Sequence, residues 1–258
     1  MDISDEAIRA GFSGAAATYD QYAQVQTYVF TQLATGVSVQ NPSRIMDIGC
    51  GTGRHTARLG ATYPDAEVIA LDVSESMIAV ANRRVLVPNI QFMVADASTH
   101  LPRISCDLVI ANASLHWLKN LPMVLPEIAN RVAGGGELAF STFGSETFVE
   151  LRNAISTVMG REVVLASGHF WSPETLLPVL EQEFEHVSVR QEIIRQPFPS
   201  LMALLKSIKY TGTRGDGLPG NVWTMGLLKE IESVYKARVR DIWATYQIHY
   251  YICQRSTT

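Results

Sequence analysis

An apolar run that ends on an acid and then breaks into alternating glycines constrains this chain more than any other stretch. Residues 44–54 read Arg-Ile-Met-Asp-Ile-Gly-Cys-Gly-Thr-Gly-Arg. Ile45, Met46 and Ile48 suit a buried strand, while Gly49, Gly51 and Gly53 make a tight turn whose backbone can approach a ligand without Cβ in the way. A strand, a glycine turn and a helix open the doubly wound α/β fold, whose ligands sit beyond the carboxyl ends of the strands.

The spacing narrows the choice of ligand. A dinucleotide fingerprint wants G-x-G-x-x-G with a pyrophosphate at the helix N-terminus. Here the pattern is G-x-G-x-G, and Asp47 stands two residues before the first glycine. A carboxylate there repels a pyrophosphate and suits a ligand with an amine and a positive sulfur, which favours S-adenosylmethionine over a nicotinamide dinucleotide. A second apolar run, Glu67–Asp72, ends on an acid placed to accept hydrogen bonds from both ribose hydroxyls. A third, Ile90–Val94, leads into Ala95-Asp96-Ala97, where a further acid meets an adenine amino group. Asp47 through Gly53, Asp72 and Asp96, in this order, resemble the class I S-adenosylmethionine-dependent methyltransferases, and the likeness covers roughly residues 44–142. It implies cofactor contacts at Asp47, Gly49, Cys50, Gly51, Gly53, Asp72, Val73, Met77, Asp96, Ala97 and Asn112. For Met77 the competing reading is simple core packing.

At 258 residues, 47% hydrophobic and 18% charged, the composition is that of a globular protein with a substantial core. A net charge of −4 argues against nucleic acid as the default partner. Cys50, Cys106 and Cys253 are three in number and fall in or beside apolar strands, so they suggest buried thiols in a reducing compartment and no disulfide framework. The acidic start Met1-Asp2-Ile3-Ser4-Asp5-Glu6 lacks a signal-peptide pattern, and no run reaches the length of a membrane span. A cytoplasmic location follows as the expectation.

Further along, the reading expects a first crossover helix over Thr52–Ala61 and a second capped by Ser74, with Glu75 in its favourable first turn. A fourth strand over Asp107–Asn112 leads into Ala113-Ser114-Leu115-His116-Trp117, a turn beside the expected reaction centre. A helix over 121–132 is expected to end at Gly134-Gly135-Gly136, before a fifth strand over Glu137–Thr142. A helix over Phe148–Met159, another begun by Ser172-Pro173, a sixth strand over His186–Ile194 and a last strand over Thr245–Cys253 complete the core. Residues 1–40 precede it as an N-terminal cap segment. Residues 195–244 are inserted between the last two strands, with a helix from Pro197 to Lys209 and another from Val222 to Arg240. The whole, 1–258, reads as a single α/β domain: a doubly wound, Rossmann-like sheet of seven strands, mostly parallel with the last antiparallel, with the insert as a helical lid.

Three separated segments carry a narrower resemblance. Phe12–Tyr22 (FSGAAATYDQY), Ser141-Thr142-Phe143-Gly144 with Leu151-Arg152, and Leu205–Thr213 (LKSIKYTGT), together with Thr245-Tyr246-Gln247, are similar to the malonyl-acyl-carrier-protein O-methyltransferases of biotin synthesis. In that family the free carboxylate of a malonyl thioester becomes a methyl ester. The resemblance implies malonyl-acyl-carrier protein as substrate and partner, with no metal, nucleic acid or membrane involved. Arg152, Lys209 and Arg214 stand as candidate cations for the substrate carboxylate, and Tyr19, Thr211 and Tyr246 as candidate hydroxyl donors. Tyr19 fits either a ring beside the reacting methyl or a packing tyrosine. His116 fits either a general base or a wall residue, and the second suits a carboxylate that is already ionised. A methyltransferase acting on a free small-molecule acid or a quinone precursor remains the alternative.

Overall fold

The computed structural model describes residues 5–211 and 223–257. Helices α1 (Asp5–Ala15), α2 (Tyr19–Tyr22) and α3 (Gln24–Gly36) precede β1 (Arg44–Ile48), the apolar run that ends at the glycine turn. Then α4 (Arg54–Thr62), β2 (Glu67–Asp72), α5 (Glu75–Arg84), β3 (Ile90–Val94), β4 (Cys106–Ala111), α6 (Leu121–Ala129) and β5 (Val132–Phe143) alternate. The remainder is α7 (Val149–Met159), α8 (Pro173–Glu183), β6 (His186–Phe198), α9 (Leu201–Tyr210), α10 (Met225–Val239) and β7 (Ile242–Gln254). The strands form one seven-stranded sheet in the order β3-β2-β1-β4-β5-β7-β6. Pairings β1–β2, β1–β4, β2–β3 and β4–β5 are parallel, and the last strands run antiparallel. Because the order reverses direction beside β1 and β4, the carboxyl ends of those strands flank a topological switch point.

The described residues divide into two compact units. The first, within 24–142, 171–191 and 249–258, holds β1 to β4 and most of β5. Its central strands are apolar on both faces: Ile45, Met46, Val68, Ile69, Ala70, Leu108, Val109 and Ile110 are all at most 2% exposed, as expected of parallel strands covered on two sides. On one face Leu121, Leu125, Ile128, Leu176 and Leu180 pack with Met46, Ile69, Val109, Phe140 and Tyr251. Each such fully buried aliphatic side chain contributes roughly 1.5–3 kcal/mol. On α3, Phe30 stacks on His55 of α4 at 4.6 Å, with Arg58 over the same ring.

The second unit, within 1–23, 143–170 and 192–248, contains α1, α2, α7, α9 and α10. Helix α9 packs against α1 and α2, and α10 against α7. Tyr22 stacks on Tyr210 at 4.9 Å, and the buried Tyr235 of α10 donates its hydroxyl hydrogen to the Trp243 carbonyl. The unit boundary at Ala23/Gln24 falls inside the segment 1–40: its first helices go with the insert, and α3 goes with the sheet.

Several expected boundaries shift for physical reasons. The first crossover helix begins at Arg54, because Gly53 has φ +75° and so caps the helix. The glycine triplet does not end α6; that helix stops at the cap residue Asn130, and β5 starts at Val132. The register of β5 on β4 jumps between Cys106↔Val132 and Leu108↔Glu137, so the glycines form an irregularity within the strand. A Cβ on Gly136 would lie 2.9 Å from the Asp107 carbonyl oxygen, which only glycine permits. Strand β6 continues through Pro197 to Phe198, which its place at the sheet edge allows.

Candidate cofactor and substrate sites

The glycine turn is held by the strand beside it. Leu71 carbonyl oxygen accepts from both Gly49 N–H, at 2.7 Å, and Cys50 N–H, at 2.9 Å. The three glycines have φ values of +77°, +57° and +75°, conformations costly for other residues. Their surroundings differ. A Cβ on Gly49 would lie 2.3 Å from Ser114 Cβ, and one on Gly53 would lie 2.8 Å from the Phe92 ring. Around Gly51 nothing lies within 4 Å of that position. Two of the glycines therefore admit the protein's own side chains, and Gly51 alone leaves the open space that a ligand requires.

Two acids flank this turn. Asp72, half-buried at the end of β2, accepts from Gly51 N–H at 2.9 Å through Oδ2 and from Ser74 N–H at 2.8 Å through Oδ1. Burial raises its ionisation above the ordinary carboxylate range, and the two amides oppose that rise. Asp47, 4% exposed at the end of β1, accepts from Thr56 Oγ1 at 2.6 Å. Burial pushes its carboxyl up to about 6, the Thr56 hydroxyl pulls it down, and the Asp72 charge adds a smaller upward push. The pair thus concentrates negative charge in a poorly solvated place. Each of the four oxygens still has acceptor capacity. Asp96, half-buried after β3, takes Ser98 N–H and Ser98 Oγ–H on Oδ1, at 2.8 and 2.6 Å.

Ser74 caps α5 by accepting from Met77 N–H at 3.2 Å, which seats Val73 and Asp72 at the mouth of that helix. Met77 is 1% exposed, a core side chain. Cys50 packs with Ala70, Ile78 and Phe92, and its thiol is raised by burial. Ala97 is half-buried beside Asp96. Asn112 spends both ends of its amide inside the protein: Nδ2 donates to Gln26 carbonyl at 3.0 Å, and Oδ1 accepts from Ser141 Oγ at 3.0 Å. The same Ser141 oxygen accepts from Ala113 N–H, and Ser114 Oγ donates to the Ile48 carbonyl at 2.8 Å. Ser114 lies in the turn expected beside the reaction centre and Ser141 in a segment that carries the family resemblance, whereas Gln26 and Thr56 were not among the expected site residues. Their signal was weak, since single small polar residues next to strand ends are common.

His116 follows on the 3₁₀ turn Leu115–Trp117, 4% exposed, with its ring 5.2 Å from that of Trp117. Burial lowers its pKa to about 3, so the imidazole is neutral at neutral pH. A base that weak removes protons poorly, which agrees with a wall or orienting role.

In the second unit the candidate substrate groups have partners of their own. Tyr19 begins α2, half-buried, with its ring 6.5 Å from Phe12. Arg152 on α7 donates to the Ser145 carbonyl at 3.3 Å and pairs with Glu146 at 3.5 Å. Thr211 is buried and donates back to the Ser207 carbonyl at 2.9 Å, closing the end of α9. Tyr246 is buried between the Phe143 and Phe148 rings, 5.9 and 5.1 Å away, and hydrogen-bonds the Ser207 side chain. Burial raises its ionisation. Lys209 is exposed, with Nζ 5.4 Å from the centre of the Tyr210 ring. Arg214 lies outside the described residues. Among the described residues no group of three or more His, Cys, Asp or Glu side chains is placed to hold a metal ion, and no helix is long and apolar enough to cross a membrane.

A doubly wound sheet with acids closing β1, β2 and β3 around a three-glycine turn defines the class I S-adenosylmethionine-dependent methyltransferases. Residues 45–136 match the family described as a methyltransferase domain. A phosphoethanolamine N-methyltransferase from Haemonchus contortus, solved in complex with S-adenosyl-L-methionine, shares the fold at a TM-score of 0.59 and 14% identity, covering 95% of this chain and 57% of that one. The malonyl-acyl-carrier-protein O-methyltransferase of Bacillus anthracis is 30% identical over 242 residues, 91% of this chain and 90% of its own length. That of Methylococcus capsulatus is 34% identical over 211 residues, 80% of this chain and 76% of its own. The chain belongs to the malonyl-acyl-carrier-protein O-methyltransferase family.

Proposed function

We propose that this protein methylates the free carboxylate of a malonyl thioester borne on an acyl-carrier protein, the step that serves biotin synthesis. The observation that carries this reading is likeness to enzymes of that name across nine-tenths of both chains. S-adenosylmethionine is the methyl donor, and the acids fit it: Asp47 and Asp72 form a site with two carboxylates and no protein cation paired to either among the described residues. A ligand bearing an ammonium and a sulfonium relieves their repulsion. When bound, the donor supplies an electrophilic methyl on a positively charged sulfur and departs as a neutral thioether.

The chain's own residues do the rest. Asp72 is assigned to the ribose hydroxyls, Asp47 to the cationic end, Asp96 to the adenine amine, and Gly51 to close backbone approach. The malonyl carboxylate is ionised at neutral pH and attacks without a base. His116, neutral and buried, orients and excludes water. Alignment in a dry site is worth up to roughly 7–11 kcal/mol. Thr211 spends its hydroxyl hydrogen on α9 and the Tyr246 hydroxyl is hydrogen-bonded with Ser207, so the substrate carboxylate is assigned first to Arg152 and Lys209, with Arg214, Tyr19 and Tyr246 kept as candidates. The insert is assigned substrate selection, and its exposed Lys206 and Lys209 are assigned to steering an acidic carrier protein. Three free, buried cysteines support a reducing, cytoplasmic setting.

The test is an assay of methyl transfer to malonyl-acyl-carrier protein, malonyl-coenzyme A and free dicarboxylic acids, read by mass spectrometry of the ester. The carrier-bound substrate is expected to turn over with the highest kcat/KM. Preference for a free acid would replace this reading with that of a small-molecule methyltransferase.

A further inference from the structure

The two acids at the ends of β1 and β2 obtain their donors in different ways. Asp72 takes both hydrogen bonds from backbone N–H groups, which side-chain changes do not remove. Among the described residues Asp47 takes one hydrogen bond, from the side chain of Thr56, and that threonine is 0% exposed. In the sheet Asp47 lies between Ala70 on β2 and Ile110 on β4, neither of which offers a polar side chain. The charged group that acts on it is Asp72, which repels its charge; Asp47 in turn helps to raise the Cys50 thiol in the glycine turn. On α4 the other polar residues are engaged elsewhere: the His55 ring lies on Phe30, and Arg58 donates to Thr31 Oγ1.

We infer that Thr56 is a positioning residue for cofactor binding: its hydroxyl holds Asp47 Oδ2 against α4, leaves Oδ1 for the ligand and keeps the carboxylate ionised. This rests on the assignment of Asp47 to the cationic end of the cofactor. A hydrogen bond to the charged form of a carboxylate favours that form. Burial and the Asp72 charge press the other way, so Asp47 depends on this one donor near neutral pH. Neither Thr56 nor its bond to Asp47 is signalled by the glycine motif, because Thr56 stands a full helical turn beyond the turn residues.

The test is calorimetric titration with S-adenosylhomocysteine at pH 5, 6, 7 and 8 for the wild type, Thr56→Val, Thr56→Ser and Asp47→Asn. Valine keeps the shape of threonine and removes the donor, whereas serine keeps the donor. With Asp47 ionising near about 6, wild-type affinity falls roughly tenfold from pH 8 to pH 5. Thr56→Val moves the midpoint upward by about one pH unit, so its deficit is roughly fivefold at pH 6 and less than about twofold at pH 8. Thr56→Ser follows the wild-type profile. A deficit in Thr56→Val that is equal at every pH marks a structural role only and overturns the inference, as does a serine variant no better than the valine one. Thr56→Ala replaces the valine variant if that one does not fold. If Asp47→Asn binds like the wild type at every pH, the cofactor assignment of Asp47 itself falls. If Asp47→Asn loses affinity while Thr56→Val does not, only the role of Thr56 is lost.

Discussion

The ends of β1 and β2 and the helical insert spend their polar groups differently. At the strand ends, Asp72 is clamped by two backbone amides and Asp47 by one hydroxyl, and both acids keep acceptor capacity to spare. In the unit that holds the insert, Thr211 closes α9, Tyr246 bonds Ser207, Arg152 pairs with Glu146, and Lys236 pairs with Glu232 at 2.6 Å. A parallel sheet ends all its strands on one edge, so acids there converge whatever their tertiary surroundings. A helix displays polar groups around its whole circumference, and neighbouring helices decide which remain available.

The largest effect that tests this contrast is expected at Asp72. Asp72→Ala removes the anchor of Gly51 and Ser74 along with the ribose acceptors, and calorimetry with S-adenosylhomocysteine is expected to show about a hundredfold loss of affinity. Unchanged affinity would erase the distinction between a binding edge and a structural one. A smaller effect is expected at His116. Its folded pKa, about 3, lies below the unfolded value, so stability is intact above about pH 6.5 and is lost as the unfolded chain takes up a proton on acidification. Between pH 6.5 and pH 5 that loss amounts to about 2 kcal/mol. Urea denaturation of His116→Gln should show this part of the acid slope removed; an identical slope would mean that the imidazole is not buried neutral. The smallest effects belong to the insert side. Arg152→Ala is expected to raise KM for the carrier-bound substrate roughly tenfold, and Lys209→Ala roughly threefold, an effect that added salt removes. If Lys209→Ala proved the more damaging, the assignment of the carboxylate anchor would reverse.

The first three strands were legible, the second and third to the residue, since each is an apolar run with an acid at or just beyond its end, and β1, β2 and β3 occupy 44–48, 67–72 and 90–94. The Ser74 cap was legible because a serine beside an acid at a helix start has a local function. The glycines after α6 were misread as a helix stop: glycine marks a break in many contexts, and only the approach of the Asp107 carbonyl shows that these serve a strand. Gly49 and Gly53 were read as making room for a ligand; that a Cβ there would also meet Ser114 and Phe92, residues distant in sequence, was not legible. Asn112 was read as a cofactor residue; that its side chain ties Gln26 to Ser141 was not legible.

From the order of residues alone came the doubly wound class, the charge of the ligand and the family: the first two depend on patterns confined to a strand and the turn after it, and the third on short contiguous segments each readable by itself. Folding in three dimensions decided which hydroxyl supports Asp47, which glycine faces open space, and that the histidine after β4 stays neutral. Those outcomes depend on burial and on partners brought together from remote parts of the chain, and no local pattern encodes them.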